Sequence, residues 1–313
     1  MRLTTAVQMY RDYKHGLGMK FLSEGFIFAA FCRAFGEIDI THVQPARVWR
    51  FLCPTGRQTR GSEIKYFALR GFYKFAMARG YVSRSPLPTR LTILPQVLVP
   101  HIYSRDELAR LLRLASARYM RCPRVEPKVI HTLIVLMYGA ALRTSEAVGL
   151  DLGDVDLDQR HIHVRKTKFY KTRLVPLGHD VVRELATYVA DRNRHHSAAP
   201  SAPLFVYRKG QRLSDDSARV HFRHLCRRAG FGVPGGIPIA PRLHDLRHSA
   251  IVHRVLAWYR ADRDVQALLP KLSTYVGHKD VACTQRYLQL IPELLNEASR
   301  RFATHAREVY HHA

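Results

Sequence analysis

Residues 138–146 read Tyr-Gly-Ala-Ala-Leu-Arg-Thr-Ser-Glu, and residues 244–248 read His-Asp-Leu-Arg-His. In the first stretch, Arg143 follows an apolar helical segment and precedes Thr144, which can begin a second, short helix. A guanidinium in such a turn needs a partner, and Glu146 could supply it. Taken alone, an arginine in this setting is more often a structural ion pair than a functional residue.

The second stretch places His244 and Arg247 three residues apart on a predicted helix, so both side chains lie on one face. His248 adds a second histidine at the i, i+4 spacing found in zinc peptidases. Such an enzyme uses a glutamate next to its first histidine, where this chain has Asp245, and Arg247 would add a cation between the histidines. The pattern therefore favours a pair of side chains that binds an anion, with zinc binding as the weaker alternative.

Gly277-His278 is followed, nine residues after the histidine, by an isolated tyrosine, Tyr287. Thr284 can cap a helix with Tyr287 in its first turn, where the positive end of the dipole favours phenolate character. A lone tyrosine is more commonly a core aromatic. A phenol is a useful nucleophile near neutral pH only if cations and a proton acceptor surround it.

The composition indicates a folded protein with a polyanionic partner. The 313 residues include 50 Lys and Arg against 25 Asp and Glu, a formal charge of +25, and 47% are hydrophobic. Residues 1–100 contain 15 basic and 5 acidic side chains, a net of +10, which leaves +15 for the rest. Both parts are basic, as expected if both contact the same polyanionic partner. A membrane-surface or ribosomal role would use similar charge, but the chain has no low-complexity basic tail.

The cysteine pattern and the apolar segments favour a soluble protein of the reducing cytosol. The five cysteines are widely spaced without a Cys-x-x-Cys pair, so neither a disulfide framework nor a zinc ribbon is indicated. Residues 1–20 lack the apolar core of a signal peptide, and the longest apolar stretch, residues 133–142, is too short to span a membrane.

A proline-rich segment, residues 86–102, predicts an extended linker between two domains. Ser104 and Glu107 then form a predicted capping box at the start of an amphipathic helix. Apolar residues at three- and four-residue spacing predict further helices over residues 21–35, 46–52, 63–79, 131–142, 181–192, 218–229 and 243–260, and a tail helix from about 292. Alternating residues at 161–164 and 173–177 predict a hairpin with its tip at 167–171.

These motifs and their order resemble the tyrosine recombinase (phage integrase) family, in the two-domain form of the Xer recombinases. The resemblance covers nearly the whole chain, and its specific motifs lie in the second half. It implies a mainly α fold with an α+β catalytic domain. We expect a helical, SAM-like core-binding domain at 1–85, a linker at 86–102, and a mostly helical catalytic domain with a small antiparallel β-sheet at 103–313. A C-terminal docking helix is expected at about 292–309.

The resemblance also implies an active site of six residues: Arg143, Lys168, His244, Arg247, His278 and Tyr287. Tyr287 would be the nucleophile, and Glu146 would support the site. Lys168 is identified by counting back from the stretch Lys-Thr-Arg-Leu-Val-Pro-Leu at 171–177. Relatives often have glycine on each side of this lysine, whereas this chain has Thr167 and Phe169. By resemblance, Lys168 would protonate the departing 5′ oxygen.

The implied reaction is attack by Tyr287 on a DNA phosphate, which releases a 5′ hydroxyl and forms a 3′-phosphotyrosine link. No metal and no cofactor is implied, since protein cations neutralise the phosphate and the link conserves the bond energy. The expected partners are double-stranded DNA at specific sites, further copies of the chain in a dimer or tetramer, and other recombinases of the same element. No membrane is involved, and the location is cytoplasmic, at the nucleoid.

The long segment between Arg247 and His278 favours recombinases of mobile elements and transposons within the family. Two alternatives remain open. A non-catalytic DNA-binding relative would keep the charge but is expected to lack one of the six residues. A type IB topoisomerase shares the chemistry and relaxes DNA without exchanging partners, although the Xer-like N-terminal part disfavours it.

Overall fold

A computed structural model describes residues 1–19, 21–91, 100–116, 124–165, 172–231, 241–278 and 280–282, with residues 296, 299, 300, 302 and 303 of the tail. Lys168, Tyr287 and the hairpin tip at 167–171 lie outside the described residues. Most of the predicted tail helix also lies outside them.

The described residues divide into two compact units, one that extends to residue 91 and one that begins at residue 100. In the described part of the first unit, the helices are α1 (Leu3–Gly16), α2 (Leu22–Phe35), α3 (Pro45–Leu52) and α4 (Arg60–Ala78), with a 3-10 turn at Ile40–His42. Helices α1, α2 and α4 pack on one another around an aromatic core, and α3 packs on α4. The helices predicted at 21–35, 46–52 and 63–79 are confirmed.

Helix α1 is absent from the sequence-based prediction, although its buried residues Leu3, Ala6, Val7 and Tyr10 follow a helical period. Helix α4 begins three residues before its predicted start. The reason is a capping box in which Thr59 Oγ1 accepts from Ser62 N, while Thr59 N donates to Ser62 Oγ.

The second unit contains seven helices among its described residues: α5 (Arg105–Ser116), α6 (Pro127–Gly139), α7 (Thr144–Val148), α8 (His179–Arg192), α9 (Asp215–Arg228), α10 (Asp245–Arg260) and α11 (Val265–Val276). Helix α6 is the central one, since it contacts α5, α7, α8, α9 and α10. The capping box predicted for α5 is confirmed, with Ser104 N donating to Glu107 Oε2 over 2.8 Å and Glu107 N donating to Ser104 Oγ over 3.1 Å.

Three strands form an antiparallel sheet in the order β1 (Val155–Asp156), β2 (His161–Val164) and β3 (Arg173–Pro176). Val164 is paired with Arg173, and His161 with Pro176, so the two predicted strands are confirmed as an antiparallel pair. The fold of the described residues is therefore mainly α with a small antiparallel sheet, as predicted.

Two of the differences from the prediction in the second unit concern elements next to the candidate site. The helix predicted at 131–142 ends at Gly139, because Ala141 adopts a left-handed backbone conformation with φ of 50°. Helix α11 is not predicted at all. Its interior proline, Pro270, conceals the helical pattern in a segment that the sequence suggests is only a long spacer.

Both described ends of the predicted linker are packed. Leu87 and Leu91 lie against the core of the first unit, where Tyr66 Oη also donates to Pro88 O over 3.2 Å. Ile102 packs against the α10 and α11 cluster of the second unit. Within the described residues, no helix is both long and apolar enough to cross a membrane.

Candidate active site

Five of the seven residues predicted to form or support the site are described: Arg143, Glu146, His244, Arg247 and His278. The structure brings all five together in the second unit. They lie where the N-termini of α7 and α10, the first residue of β3 and the C-terminus of α11 converge. The positions of the other two, Lys168 and Tyr287, stay predictions.

The C-terminus of α11 binds three arginines from three different elements. Its last carbonyl groups would otherwise lack partners, because no further helical turn follows them. Arg173 Nε donates to Tyr275 O over 3.1 Å, and Arg247 Nη2 donates to Val276 O over 2.6 Å. Arg143 Nη2 donates to the oxygen of the next residue, Gly277, also over 2.6 Å. The helix end thus fixes the guanidinium groups side by side.

Gly277 occupies a position that only glycine fits without strain. Its φ of 68° is in the left-handed region, where it ends α11 and lets His278 N donate back to Ser273 O over 3.0 Å. A Cβ at this position would lie 2.8 Å from Arg173 Nη1 and 2.9 Å from Arg173 Cζ. Backbone conformation and the approach of a guanidinium therefore both require the glycine that precedes His278.

Arg247 is almost completely buried, with 1% of its surface exposed. Besides its bond to α11, its Nη1 donates to Ala141 O over 2.6 Å. Ala141 is the residue with the left-handed backbone between α6 and α7, a conformation that costs an alanine about 1 kcal/mol or more. The strained turn directs a carbonyl at Arg247 and places Arg143 two residues later.

Arg143 is the more accessible of the two predicted phosphate ligands, with 34% of its side chain exposed. Its backbone N donates to Glu146 Oε2 over 3.0 Å, which fixes the start of α7. Its Nη1 donates to Glu146 Oε1 over 2.7 Å, so the suggested partnership of Arg143 and Glu146 is present.

Glu146 is a buried carboxylate in contact with three guanidinium groups. Arg173 donates to both of its oxygens, over 3.0 and 2.8 Å, and Arg247 Nη1 lies 3.9 Å from Oε2. Burial alone would raise the pKa of Glu146, but the hydrogen bonds and charges of Arg173 and Arg143 lower that pKa to about 2. The cluster therefore keeps an excess of positive charge, which suits an anionic ligand.

The histidines of the site are neutral at physiological pH in the absence of a ligand. Burial, followed by the charges of neighbouring groups such as Arg247, lowers the pKa of His244 and of His278 to about 4. His248 is affected in the same way by burial, and its ring meets that of His244 edge to face at 4.7 Å. Neutral imidazoles beside guanidinium groups can accept a proton or donate a hydrogen bond to an anion.

Asp245 fixes the start of α10 and is 1% exposed. Its carboxylate accepts from Arg242 N over 2.9 Å and from Arg242 Nη2 over 2.7 Å. This pairing holds the turn that contains His244. Asp245 thus has a structural partner of its own, where a zinc peptidase would have its glutamate base. Among the described side chains, no group of three or more His, Cys, Asp and Glu is arranged to hold a metal ion.

Arg173 is the residue of this cluster that the sequence reading missed as part of the site. The sequence does contain a signal for it. Successive side chains of a strand point to opposite faces, so Arg173 lies on the same face as the buried Val175. A cation on an inward face needs a carboxylate, and Glu146 was the available candidate. The hydrogen bonds between these arginines and the carbonyl groups of α11 could not be predicted in this way, because α11 itself was not predicted from the sequence.

Comparison with known proteins finds similar sequences and similar folds. The phage integrase family matches residues 104–293. A Sinorhizobium fredii protein provisionally named as an integrase/recombinase is 36% identical over 304 residues, covering 95% of each chain. The tyrosine recombinase XerD of Bifidobacterium longum is 31% identical over 256 residues, which are 77% of this chain and 75% of that protein.

Two solved structures are similar in fold. The Tn1549 transposon integrase in complex with transposon right end DNA superposes with a TM-score of 0.67 at 16% identity, covering 98% of this chain and 100% of that one. A lambda integrase dimer bound to a COC′ core site superposes with a TM-score of 0.64 at 13% identity, covering 92% and 95%. At these identities the likeness concerns the fold alone.

Proposed function

This chain belongs to the phage integrase family of tyrosine recombinases, and on that premise we propose that it is a site-specific DNA recombinase acting through a 3′-phosphotyrosine intermediate. One observation carries the proposal. Arg143 and Arg247 are fixed to adjacent carbonyl groups at the end of α11, with His278 in the same turn. Two guanidinium groups held side by side in this way suit the two non-bridging oxygens of one phosphodiester.

Catalysis would come mainly from charge. In the transition state for attack on phosphorus, negative charge on the non-bridging oxygens increases, and the two arginines would stabilise that charge most strongly there. Their hydrogen bonds to fixed carbonyl groups hold them in place before DNA binds. Little reorganisation is then needed during the reaction.

Tyr287 is proposed as the nucleophile. Its phenolic oxygen would bond to phosphorus as the bond from phosphorus to the 5′ oxygen breaks, leaving the phosphate attached to the 3′ end. The phenolic proton would pass to a neutral imidazole, for which His244 and His278 are the available acceptors. Lys168 would give a proton to the departing 5′ oxygen. Attack by the 5′ hydroxyl of a partner strand would then reverse these steps and release the tyrosine.

DNA and further copies of the chain are the proposed partners. The formal charge of +25 suits a polyanion, and solved lambda integrase structures include a dimer on a core site and a tetramer on a Holliday junction. By analogy, we infer that this chain assembles as a dimer on one site and as a tetramer on two. From the sequence, we propose core binding by residues 1–85, catalysis by residues 103–313 and docking of the tail between protomers.

A mobile-element role is proposed within this function. It is supported by the fold similarity to a transposon integrase and by the long segment between Arg247 and His278, which contains α11. We place the protein in the cytoplasm, at the DNA of the nucleoid. Neither zinc nor another cofactor is required by the proposed chemistry, and activity in excess EDTA is the expected result.

The direct test is recombination between two sites in the presence of EDTA. The sites would be taken from DNA flanking the gene, or selected from random duplexes by binding, and placed as direct repeats on a plasmid. We expect two smaller circles as products. Relaxation without exchanged products would indicate a topoisomerase, and binding without either product would indicate a non-catalytic relative.

A further inference from the structure

Arg173 connects three elements of the candidate active site. It is the first residue of β3, its side chain is 14% exposed, and it donates to both oxygens of Glu146 on α7 and to Tyr275 O on α11. We propose that Arg173 is a positioning residue for strand cleavage, which sets the orientation of Arg143 and of the turn that contains His278. The proposal rests on the proposed recombinase function.

The described hydrogen bonds of Arg173 all join it to neighbouring protein elements. Its Nε, Nη1 and Nη2 atoms each donate to a protein acceptor at 3.1 Å or less. Arg143, in contrast, is 34% exposed and directs part of its surface to solvent. The bonds of Arg173 use three of the five N–H groups of its guanidinium and hold it between α7 and α11.

The first consequence concerns charge. Glu146 contacts Arg143 over 2.7 Å and Arg247 over 3.9 Å, so its negative charge competes with a phosphate for both residues. Arg173 satisfies both carboxylate oxygens with a bidentate pair. Without that pair, Glu146 would bind Arg143 more tightly. The guanidinium would then be less available to the scissile phosphate.

The second consequence concerns the end of α11. The guanidinium of Arg173 lies against Gly277, where a Cβ would be 2.8 Å from Nη1, while Arg143 Nη2 donates to the oxygen of the same glycine. Gly277 is therefore held between two arginines. His278 is the next residue, so the direction of its backbone depends on both contacts.

Lysine cannot replace arginine in this role, because an ammonium group provides no planar bidentate donor. In Arg173→Lys we expect single-turnover cleavage at saturating DNA to slow by about a hundredfold, the scale of a misplaced reacting group. DNA affinity should stay within about twofold, since it depends on many phosphate contacts. A second variant, Arg173→Gln, is tested in case the lysine variant does not fold. It should also cleave more slowly while its DNA affinity stays nearly unchanged.

A double-mutant cycle with Glu146→Gln tests the proposed route. If Arg173 acts through Glu146, the double variant should cleave no more slowly than the slower single variant, because the two changes remove one interaction. The matched control is Arg192→Lys. Arg192 is a buried arginine that donates to Pro203 O, Asn193 Oδ1 and Ser197 O, so it reports the general cost of losing a buried guanidinium.

Wild-type cleavage rates in both folded Arg173 variants would overturn the proposal, as would an equal loss of rate in Arg192→Lys. Additive losses in the double variant would overturn the route through Glu146. A wild-type protein that forms no covalent complex with DNA would instead contradict the proposed function, so the two failures are distinguishable.

Discussion

Arg143 and Arg247 have the same predicted chemistry but very different surroundings. Arg247 is 1% exposed and bonds two carbonyl groups, whereas Arg143 is 34% exposed. Arg247→Ala should therefore lower the free energy of unfolding by about 3 kcal/mol or more, because it leaves buried polar groups without partners. Arg143→Ala should cost about 1 kcal/mol or less, since its partly exposed ion pair is screened by solvent.

Urea unfolding measures the free energy of unfolding of both variants, and a single-turnover assay measures their rate of DNA cleavage. We expect both variants to lose cleavage while only Arg247→Ala loses much stability. Equal destabilisation by the two substitutions would contradict the distinction between a buried and an accessible arginine.

The histidines of the site give the protein a predicted pH dependence of stability. Burial lowers the pKa of His244, His248 and His278 to about 4 in the folded chain, against the ordinary value of 6.5 for histidine. Between these values the unfolded chain binds more protons than the folded one, so stability is complete above pH 6.5 and falls towards pH 4. Each histidine should lower the free energy of unfolding by up to about 2 kcal/mol as the pH falls from 6.5 to 5.

Urea unfolding at pH 7.5 and pH 5.0 tests this prediction with a variant outside the catalytic set, His248→Gln. The variant should lose less stability on acidification than the wild-type protein does. His42→Gln, at an exposed position of the first unit, is the control. An identical loss of stability on acidification in wild type and in His248→Gln would contradict the lowered pKa of His248.

At the scale of elements, the end of α11 is the feature that organises the site. Gly277→Ala would combine a strained left-handed backbone with a Cβ 2.8 Å from Arg173 Nη1. Gly80 has a similar φ of 70° and no atom within 4 Å of a built Cβ, so Gly80→Ala measures the backbone cost alone. That cost is about 1 kcal/mol. Gly277→Ala should lose more stability than this control and should also slow cleavage. Equal losses of stability in Gly277→Ala and Gly80→Ala would show that the close contact between Arg173 and residue 277 does not contribute to stability.

The elements differ in how far the sequence predicts them, for physical reasons. The capping box at Ser104 and the alternating hairpin strands are local patterns, and the structure confirms both. Helix α11 escapes prediction because Pro270 interrupts its local signal, although its apolar face packs against α10. The contacts of its carbonyl groups join residues more than a hundred positions apart, as with Arg143 and Gly277. No local pattern encodes such a contact.

The same limit applies to the site. The order of the motifs predicts Arg143, His244, Arg247 and His278, and the structure places all four in one cluster. The supporting role of Arg173 depends on which face of β3 meets Glu146. That relation is fixed by packing between elements.

For the molecule as a whole, the distribution of charge predicts that both parts of the chain bind one duplex. Affinity should then fall steeply with salt as counterions return to the phosphates. Residues 1–85 or 103–313 alone should bind far more weakly than the intact chain, because linked modules gain from effective concentration. Gel-shift titrations at several salt concentrations measure both effects. A catalytic part that binds as tightly as the whole chain would exclude this mode of binding.

The proposed reaction requires a covalent bond between Tyr287 and DNA. A nicked suicide duplex tests this bond, because the short fragment that carries the released 5′ hydroxyl diffuses away, so rejoining is prevented and the covalent intermediate accumulates. The wild-type chain should form a denaturant-resistant complex through the 3′ phosphate in excess EDTA. Tyr287→Phe should bind the same duplex with nearly unchanged affinity and form none. A covalent complex that persists in Tyr287→Phe would exclude Tyr287 as the nucleophile, and a wild-type complex that requires added metal would exclude catalysis by protein cations alone.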